Sequence, residues 1–381
     1  MQERKKICLV VSSMLIVKFF LLDHLERLSR HYDVTLLVNT SDLSVSEMPK
    51  LPIRLLHLEV ERKISPKSDL RALAHLIRFF WRERFDLVHS ISPKTGLLAM
   101  VAGALANVPI RLHTFQGEIW VARRGFWRVI LKALDKLVAR LATHLLVVSR
   151  SEQQFLLEQG VVPAGKSTVL ANGSICGVDI QRFKPDPESR SNIRSEFGIK
   201  EGEVLFLYLG RLSIDKGLLD LAAAFLRVGA EQPNVHLAFV GPDEEGIQKK
   251  VDKICGESGD RVHFRGYTDK PEQYLSAADV LCLPSHREGF GMVIVEAAAV
   301  EVPAIGSRIY GITDAIVENQ TGLLFEAGND LDLSEKMLRL ARDPALRKSM
   351  GKSAMVRAQH EFSRERVLSE TAKYYKNLLA S

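Results

Sequence analysis

Two doubly wound α/β domains facing across a cleft are predicted, on three observations. Short apolar runs of strand type alternate with segments of helical period, the pattern of parallel sheets covered by helices on both faces. The alternation stops at a polar stretch holding Pro185 and Pro187 and then restarts, so it describes two units. A length of 381 residues suits two domains at roughly 100–200 residues each. The boundaries are an N-terminal domain over 1–178 and a C-terminal domain over 179–362, followed by a helical tail, 363–381.

In the first domain the strand candidates are 7–11, 34–38, 87–89, 111–114, 144–148 and 167–170. Between them, residues such as Leu70, Leu76, Ile77 and Phe80 recur at helical spacing. In the second domain the strand candidates are 204–209, 235–240, 262–264, 280–283, 304–305 and 323–324. Helices are expected at 218–228, 244–255, 271–276 and 293–300. Ligands of such sheets bind beyond the carboxyl ends of the strands, so the loops after strands are where chemistry is sought.

Four scattered cysteines with no CxxC pair exclude a disulfide framework and a zinc finger, and point to a reducing compartment. The start, Met1 to Val11, lacks the long apolar core of a signal peptide, and no window is apolar enough to span a bilayer. A cytoplasmic protein, soluble or peripheral on a membrane, is expected. The net charge of +6 is uneven: residues 1–178 carry 25 Lys and Arg against 15 Asp and Glu, whereas residues 179–381 carry 27 against 31. A basic first half suits nucleic acid, anionic membrane or a phosphorylated substrate. No nucleic-acid-binding motif appears, so nucleic acid is not the expected partner. There is no GxGxxG after an early strand, against a nicotinamide dehydrogenase, and no GxxxxGK[ST], against a P-loop NTPase.

The densest stretch runs from Pro284 through Glu288, Gly289, Phe290, Gly291 and Met292 to Glu296. It leaves a strand, passes two glycines and enters a helix whose free N–H groups and dipole suit an anion. Glu288 and Glu296 are eight residues apart, and both could meet one ligand if Glu288 is not helical. Spacing alone is better served by a plainer reading: a glutamate pairing with a helix start, and a solvated helix glutamate.

This segment resembles the E-x7-E motif of the retaining family-4 glycosyltransferases, which have the GT-B fold. Other matches follow in the same order. Gly210, Arg211, Lys216 and Gly217 resemble G-R-x(4)-K-G. Asn172, Gly173, Gly177, Val178, Asp179 and Phe183 resemble the interdomain hinge. Asp279 with Pro284-Ser285 resembles the approach to E-x7-E, and Gly311 with Thr321-Gly322 its tail. Within the family, the resemblance is to members that build bacterial surface polysaccharide. It implies that Arg211 and Lys216 hold a donor diphosphate, a role two cations five residues apart on one loop can fill. It implies that Glu296 holds the ribose and Glu288 the donor sugar, that Gly289 and the amides of Phe290, Gly291 and Met292 receive the leaving phosphate, and that Arg265, Gly266 and Tyr267 lie near the base. The catalytic set is Glu288, Arg211, Lys216 and Gln116.

Acceptors bind the N-terminal domain in that family. Ser13 follows the first strand, where many relatives have glycines. Lys94 lies in Ser92-Pro93-Lys94-Thr95-Gly96, similar to T-P-K-A-G of surface-polysaccharide transferases. Before Gly117, where many relatives have His, stands Gln116; His113 is three residues earlier and is as readily structural. Gln116 donates a hydrogen bond but is no general base near neutrality. The resemblance further implies a nucleotide-sugar donor, most simply UDP-linked, no resident cofactor and no metal. The Asp330-Leu331-Asp332 pattern is read as helix capping. A polyprenyl-diphosphate-linked saccharide is the implied acceptor, and the tail helix is expected to cross back to the first domain. Arg124, Arg128, Lys132, Lys136 and Arg140 recur every four residues over 126–141 and suit an anionic inner-membrane surface or a solvated face. Their apolar neighbours, Trp127 and Leu137 among them, form the expected packed face. A sugar-nucleotide epimerase of the same fold and a non-catalytic sugar-nucleotide-binding module are the alternatives.

Overall fold

A computed structural model describes residues 4–41, 51–60 and 65–380. Met1 to Glu3, part of the basic start read above, lie outside the described residues. The chain divides into two compact units, Met1–Cys176 with Glu365–Ser381, and Gly177–Arg364.

Unit 1 runs β1 (Lys6–Val11), α1 (Met14–Ile16), α2 (Leu22–Ser29), β2 (Asp33–Val38), β3 (Arg54–His57), α3 (Pro66–Glu83) and β4 (Leu87–Ser90). It continues through α4 (Pro93–Leu105), β5 (Ile110–Phe115), α5 (Gly125–Leu141), β6 (His144–Val147), α6 (Arg150–Glu158) and β7 (Ser167–Thr168). The strands pair in parallel in the order β3-β2-β1-β4-β5-β6-β7. Alternation along β1 explains why both faces are covered. Cys8 and Val10 join a core with Leu76, Phe80, Ala99, Val138 and Leu156 from α3 to α6. Ile7, Leu9 and Val11 join the opposite core with Leu25 and Leu28 of α2. Tyr375 and Leu378 of the tail helix α15 (Arg364–Ala380) complete that second core. Strand β3 is absent from the sequence expectation. It is an edge strand, half-buried to exposed, and lacks the apolar run of the buried strands.

Unit 2 runs α7 (Pro187–Glu196), β8 (Val204–Leu209), α8 (Leu218–Glu231), β9 (Val235–Val240), α9 (Ile247–Cys255), β10 (Val262–Arg265) and α10 (Pro271–Ala277). Then come β11 (Val280–Leu283), α11 (Met292–Ala299), β12 (Ala304–Ser307), α12 (Ile312–Ala315), β13 (Gly322–Phe325), α13 (Asp330–Arg342) and α14 (Pro344–Glu361). Its parallel strands lie in the order β10-β9-β8-β11-β12-β13. Both units are therefore Rossmann-like. Where the chain enters and leaves unit 2 the two segments are paired. The Val178 N–H donates to Phe362 at 2.8 Å and the Arg364 N–H donates to Val178 at 2.9 Å. Gly177 between them has φ +66°, and a Cβ there would stand 2.8 Å from the Phe362 carbonyl oxygen. The hinge-like glycine is thus fixed by backbone approach as well as by φ.

Candidate active site

In unit 2 the strand order reverses between β8 and β11. The loops leaving these two strands therefore diverge and open a crevice at the carboxyl edge of the sheet. The first loop carries Arg211 and Lys216, the second Glu288. Gly217 makes their meeting possible: at φ +67°, a Cβ on it would lie 2.0 Å from the Pro284 carbonyl oxygen. With the loops this close, Lys216 Nζ donates to Glu288 Oε1 at 2.6 Å, and the Ser285 hydroxyl donates to the same oxygen at 2.9 Å. Both side chains of the ion pair are largely buried, 15% and 16% exposed, so water screens them little.

Asp215 braces the loops. Its carboxylate accepts from the Ser213 hydroxyl at 2.6 Å and from Arg287 at 3.1 Å, and its carbonyl accepts from the His286 N–H at 2.9 Å. Burial pushes this carboxyl up, but Ser213, Lys216 and Arg287 together hold it below the ordinary range. The Asp220 hydrogen bond, against the opposing effect of burial, raises His286. Arg211 reaches out to Glu244 at 2.7 Å and is 48% exposed. Its backbone carbonyl accepts from the buried Tyr208 hydroxyl at 2.8 Å.

The second loop enters α11 through a tight turn. Gly291 has φ −72° and ψ 71°, and the Met292 N–H donates to the Phe290 carbonyl at 2.8 Å, an inverse γ-turn. The Met292 amide is thereby engaged within the loop. Gly289 underlies the loop, its carbonyl oxygen 2.5 Å from where a Cβ on Gly311 would stand. Phe290 is buried against Phe362, ring centroids 5.3 Å apart. Glu296 is half-buried. That burial raises it to about 7, with Arg182 and Arg364 opposing. The Arg265-Gly266-Tyr267 segment leaves β10, the edge strand two places from β8. Arg265 pairs with Glu196 and lies 5.5 Å over Phe197; Tyr267 is exposed. The late Asp330 and Asp332 lie in the first turn of α13. There the Asp332 N–H donates to the Asn329 side chain, and Asp330 and Asp332 pair with Arg227 and Lys336.

In unit 1 the order reverses between β1 and β4. The Ser12 hydroxyl donates to that of Ser92 across this gap at 3.0 Å, and Ser13 caps α1 by accepting from the Leu15 N–H. Lys94 pairs with Asp69 at 2.6 Å. Gln116 donates to the Ile91 carbonyl at 3.3 Å, and the Gly117 N–H donates to Glu152. His113 is 3% exposed. Its Nδ1 is 2.8 Å from the Ser90 hydroxyl, and its ring abuts Phe115 and the backbone of Gly96. Burial, against the Ser90 bond, holds it down to about 3, a neutral core histidine rather than an open ligand contact. The face of α5 follows the expectation in part: Val138 is buried with Leu131 and Leu141 packed beside it, but Trp127 and Leu137 are 57% and 40% exposed. Sequence reasoning missed the partners Glu244, Asp69, Glu118 and Glu152. Ser149-x-x-Glu152 has the spacing of a capping box and was a readable signal.

A family model of group 1 glycosyl transferases matches residues 189–357, and one of a glycosyl transferase 4-like domain matches residues 21–173. The chain belongs to this glycosyltransferase family, whose GT-B fold its two units reproduce. It is 28% identical over 324 residues to the capsular polysaccharide biosynthesis glycosyltransferase CapM of Staphylococcus aureus, covering 84% of each chain. It is 28% identical to the UDP-Gal:alpha-D-GlcNAc-diphosphoundecaprenol alpha-1,3-galactosyltransferase of Escherichia coli, over 75% of this chain and 74% of that one. With a D-inositol 3-phosphate glycosyltransferase of Pseudarthrobacter chlorophenolicus it shares 33% identity, over 77% of this chain and 73% of that one. In fold it is similar to a sucrose-phosphate synthase of Thermosynechococcus elongatus, with a TM-score of 0.81, 23% identity and coverage of 99% and 100%. It is also similar to Anabaena HepE in complex with UDP, with a TM-score of 0.80, 19% identity and coverage of 98% and 100%.

Proposed function

We propose that the chain is a retaining glycosyltransferase of bacterial surface-polysaccharide assembly. It moves a hexose or N-acetylhexosamine from a UDP-sugar to a polyprenyl-diphosphate-linked saccharide. The observation that carries this reading is the Lys216–Glu288 pair across the β8/β11 crevice, in a chain of this family. The names of the CapM and galactosyltransferase relatives support the pathway, the UDP donor and the lipid-linked acceptor.

On this reading the donor diphosphate takes Lys216 from Glu288 and Arg211 from Glu244, and Glu288 turns to the sugar hydroxyls. Glu296 accepts from the ribose hydroxyls. The acceptor oxygen bonds to the anomeric carbon on the face the diphosphate leaves, and the departing phosphate oxygen takes the acceptor's proton. Gln116 then needs only to donate a hydrogen bond. Charge on the leaving group is met by Lys216, Arg211 and the start of α11, the largest single contribution expected in such a site. The loops of unit 1 take the acceptor, and α5, with Arg123, Arg124, Phe126 and Trp127 exposed, rests on anionic lipid at the cytoplasmic membrane face. Among the described residues no helix is long and apolar enough to cross a membrane. No observation favours an epimerase or a binding module.

The test is a screen of UDP- and GDP-sugars by saturation-transfer NMR. Turnover of the bound sugar is then assayed with and without a polyprenyl-diphosphate-linked GlcNAc, in EDTA. Acceptor-dependent release of UDP, a product of α configuration and indifference to EDTA are expected. Turnover without acceptor would restore the epimerase reading, and binding without turnover the module.

A further inference from the structure

Beside Gly117 the chain buries two carboxyl groups. Glu152, in the first turn of α6, is 0% exposed, and Glu118, one residue past Gly117, is 2% exposed. Each oxygen of Glu152 accepts from one backbone donor and keeps a further acceptor position. Oε1 accepts from the Gly117 N–H, and Oε2 from the Val148 N–H at 3.3 Å. Both oxygens of Glu118 are buried, and Glu118 is the charged group that acts most strongly on Glu152.

We infer that Glu118 is a positioning residue: it donates one shared proton to Glu152, and the Glu118–Glu152 pair thereby locks the Gln116–Gly117 loop beside the acceptor face. The last clause rests on the function proposed above; the lock itself does not. Two carboxyls in contact away from water do not both ionise. Burial raises Glu152 well above the ordinary carboxylate range, and an ionised Glu118 would raise it further, so one proton stays with the pair. The pair titrates as a unit, and the two N–H bonds favour charge on Glu152, which leaves the proton on Glu118. The other groups around it are already engaged. On α5, Asp135 accepts from the Trp120 indole at 2.9 Å, and Arg128 and Lys132 lie 5.7 and 5.2 Å over the Trp120 ring. His113 of β5 is bonded to Ser90, and Arg150 of α6 is exposed. Asp135, pushed up to about 6 by burial, titrates nearby, so Asp135→Asn serves as a control.

The sign follows from linkage. The folded chain keeps a proton that the unfolded chain loses near pH 4.3, so this pair's contribution to stability falls as pH rises above that value. Glu118→Gln keeps the donor and has no proton to lose. Melting the full chain between pH 5 and 8, the difference in Tm, Glu118→Gln minus parent, should climb by about 3–5 °C per pH unit. The same climb should persist in an Asp135→Asn background. Hydrogen exchange of the peptide around Gly117 at pH 7 should match the parent in Glu118→Gln and be at least about tenfold faster in Glu118→Ala and Glu152→Gln. A flat Tm difference, or unchanged exchange in Glu118→Ala, overturns the inference. If both readouts behave as stated and no UDP-sugar is turned over, the pair stands and the functional reading falls.

Discussion

On the proposed function Lys216, held 2.6 Å from the Glu288 carboxylate, turns to the donor phosphate. Removing Lys216 therefore costs the transition state a cation and frees Glu288 to repel the diphosphate. Lys216→Ala should lower kcat/KM by about 10²–10³ with the fold intact, as steady-state kinetics beside circular dichroism would register. Gln116→Ala should cost about tenfold or less, since one neutral hydrogen bond is lost. Glu296, at about 7, adds a pH dependence. If, as proposed, ribose hydroxyls donate to the ionised form, UDP should bind more tightly as pH rises from 6 to 8, and Glu296→Gln should flatten that rise in calorimetry. At this scale the sequence singled out residues with a motif around them, Arg211, Lys216, Glu288 and Glu296, and the structure brings Lys216 and Glu288 together. It could not reveal Glu244 or Asp69 as partners, because those contacts join residues far apart in the chain. Nor could it decide His113, since only the packing of Gly96 against its ring shows the side to which it points.

Helix α5 shows how periodicity can place most of a face and miss parts of it: Val138, Leu131 and Leu141 pack as expected, whereas Leu137 does not. Its span was legible, but Trp127, expected in the packed face, lies exposed beside Phe126 and Val129. The basic row is also divided: Arg128 and Lys132 reach over Trp120, and Arg128 stays exposed like Arg124, Lys136 and Arg140. Such a mixed surface suits an interface of lipid headgroups. Sedimentation with vesicles of phosphatidylglycerol should show binding that weakens as salt rises from about 0.05 to 0.5 M. Phe126→Ala with Trp127→Ala should weaken it about tenfold further. Salt-independent sedimentation would count against this role. Strand β3 went unread for a complementary reason. An edge strand is specified by its pairing with β2 more than by its own composition, Arg54-Leu55-Leu56-His57.

Across the whole molecule, unit 1 is assembled from two stretches of chain separated by all of unit 2. Tyr375 of α15 sits in the core beside α2, and its hydroxyl is 2.5 Å from His89 Nδ1 on β4. Cutting the chain after 364 should strip that bond and expose Leu25 and Leu28. The loss is roughly 5 kcal/mol or more, comparable with the stability of a domain, and would appear as insolubility or a lost unfolding transition. Covalent order and spatial order therefore disagree, with a consequence for synthesis. Residues 1–176 leave the ribosome first, yet must wait for about 190 more residues before their missing helix emerges, about 10–40 s at ordinary elongation rates. During that interval the groove that receives Tyr375 and Leu378 is open to water. The nascent chain has a dated vulnerability, and a chaperone that shields that groove would need to release it only when the tail arrives.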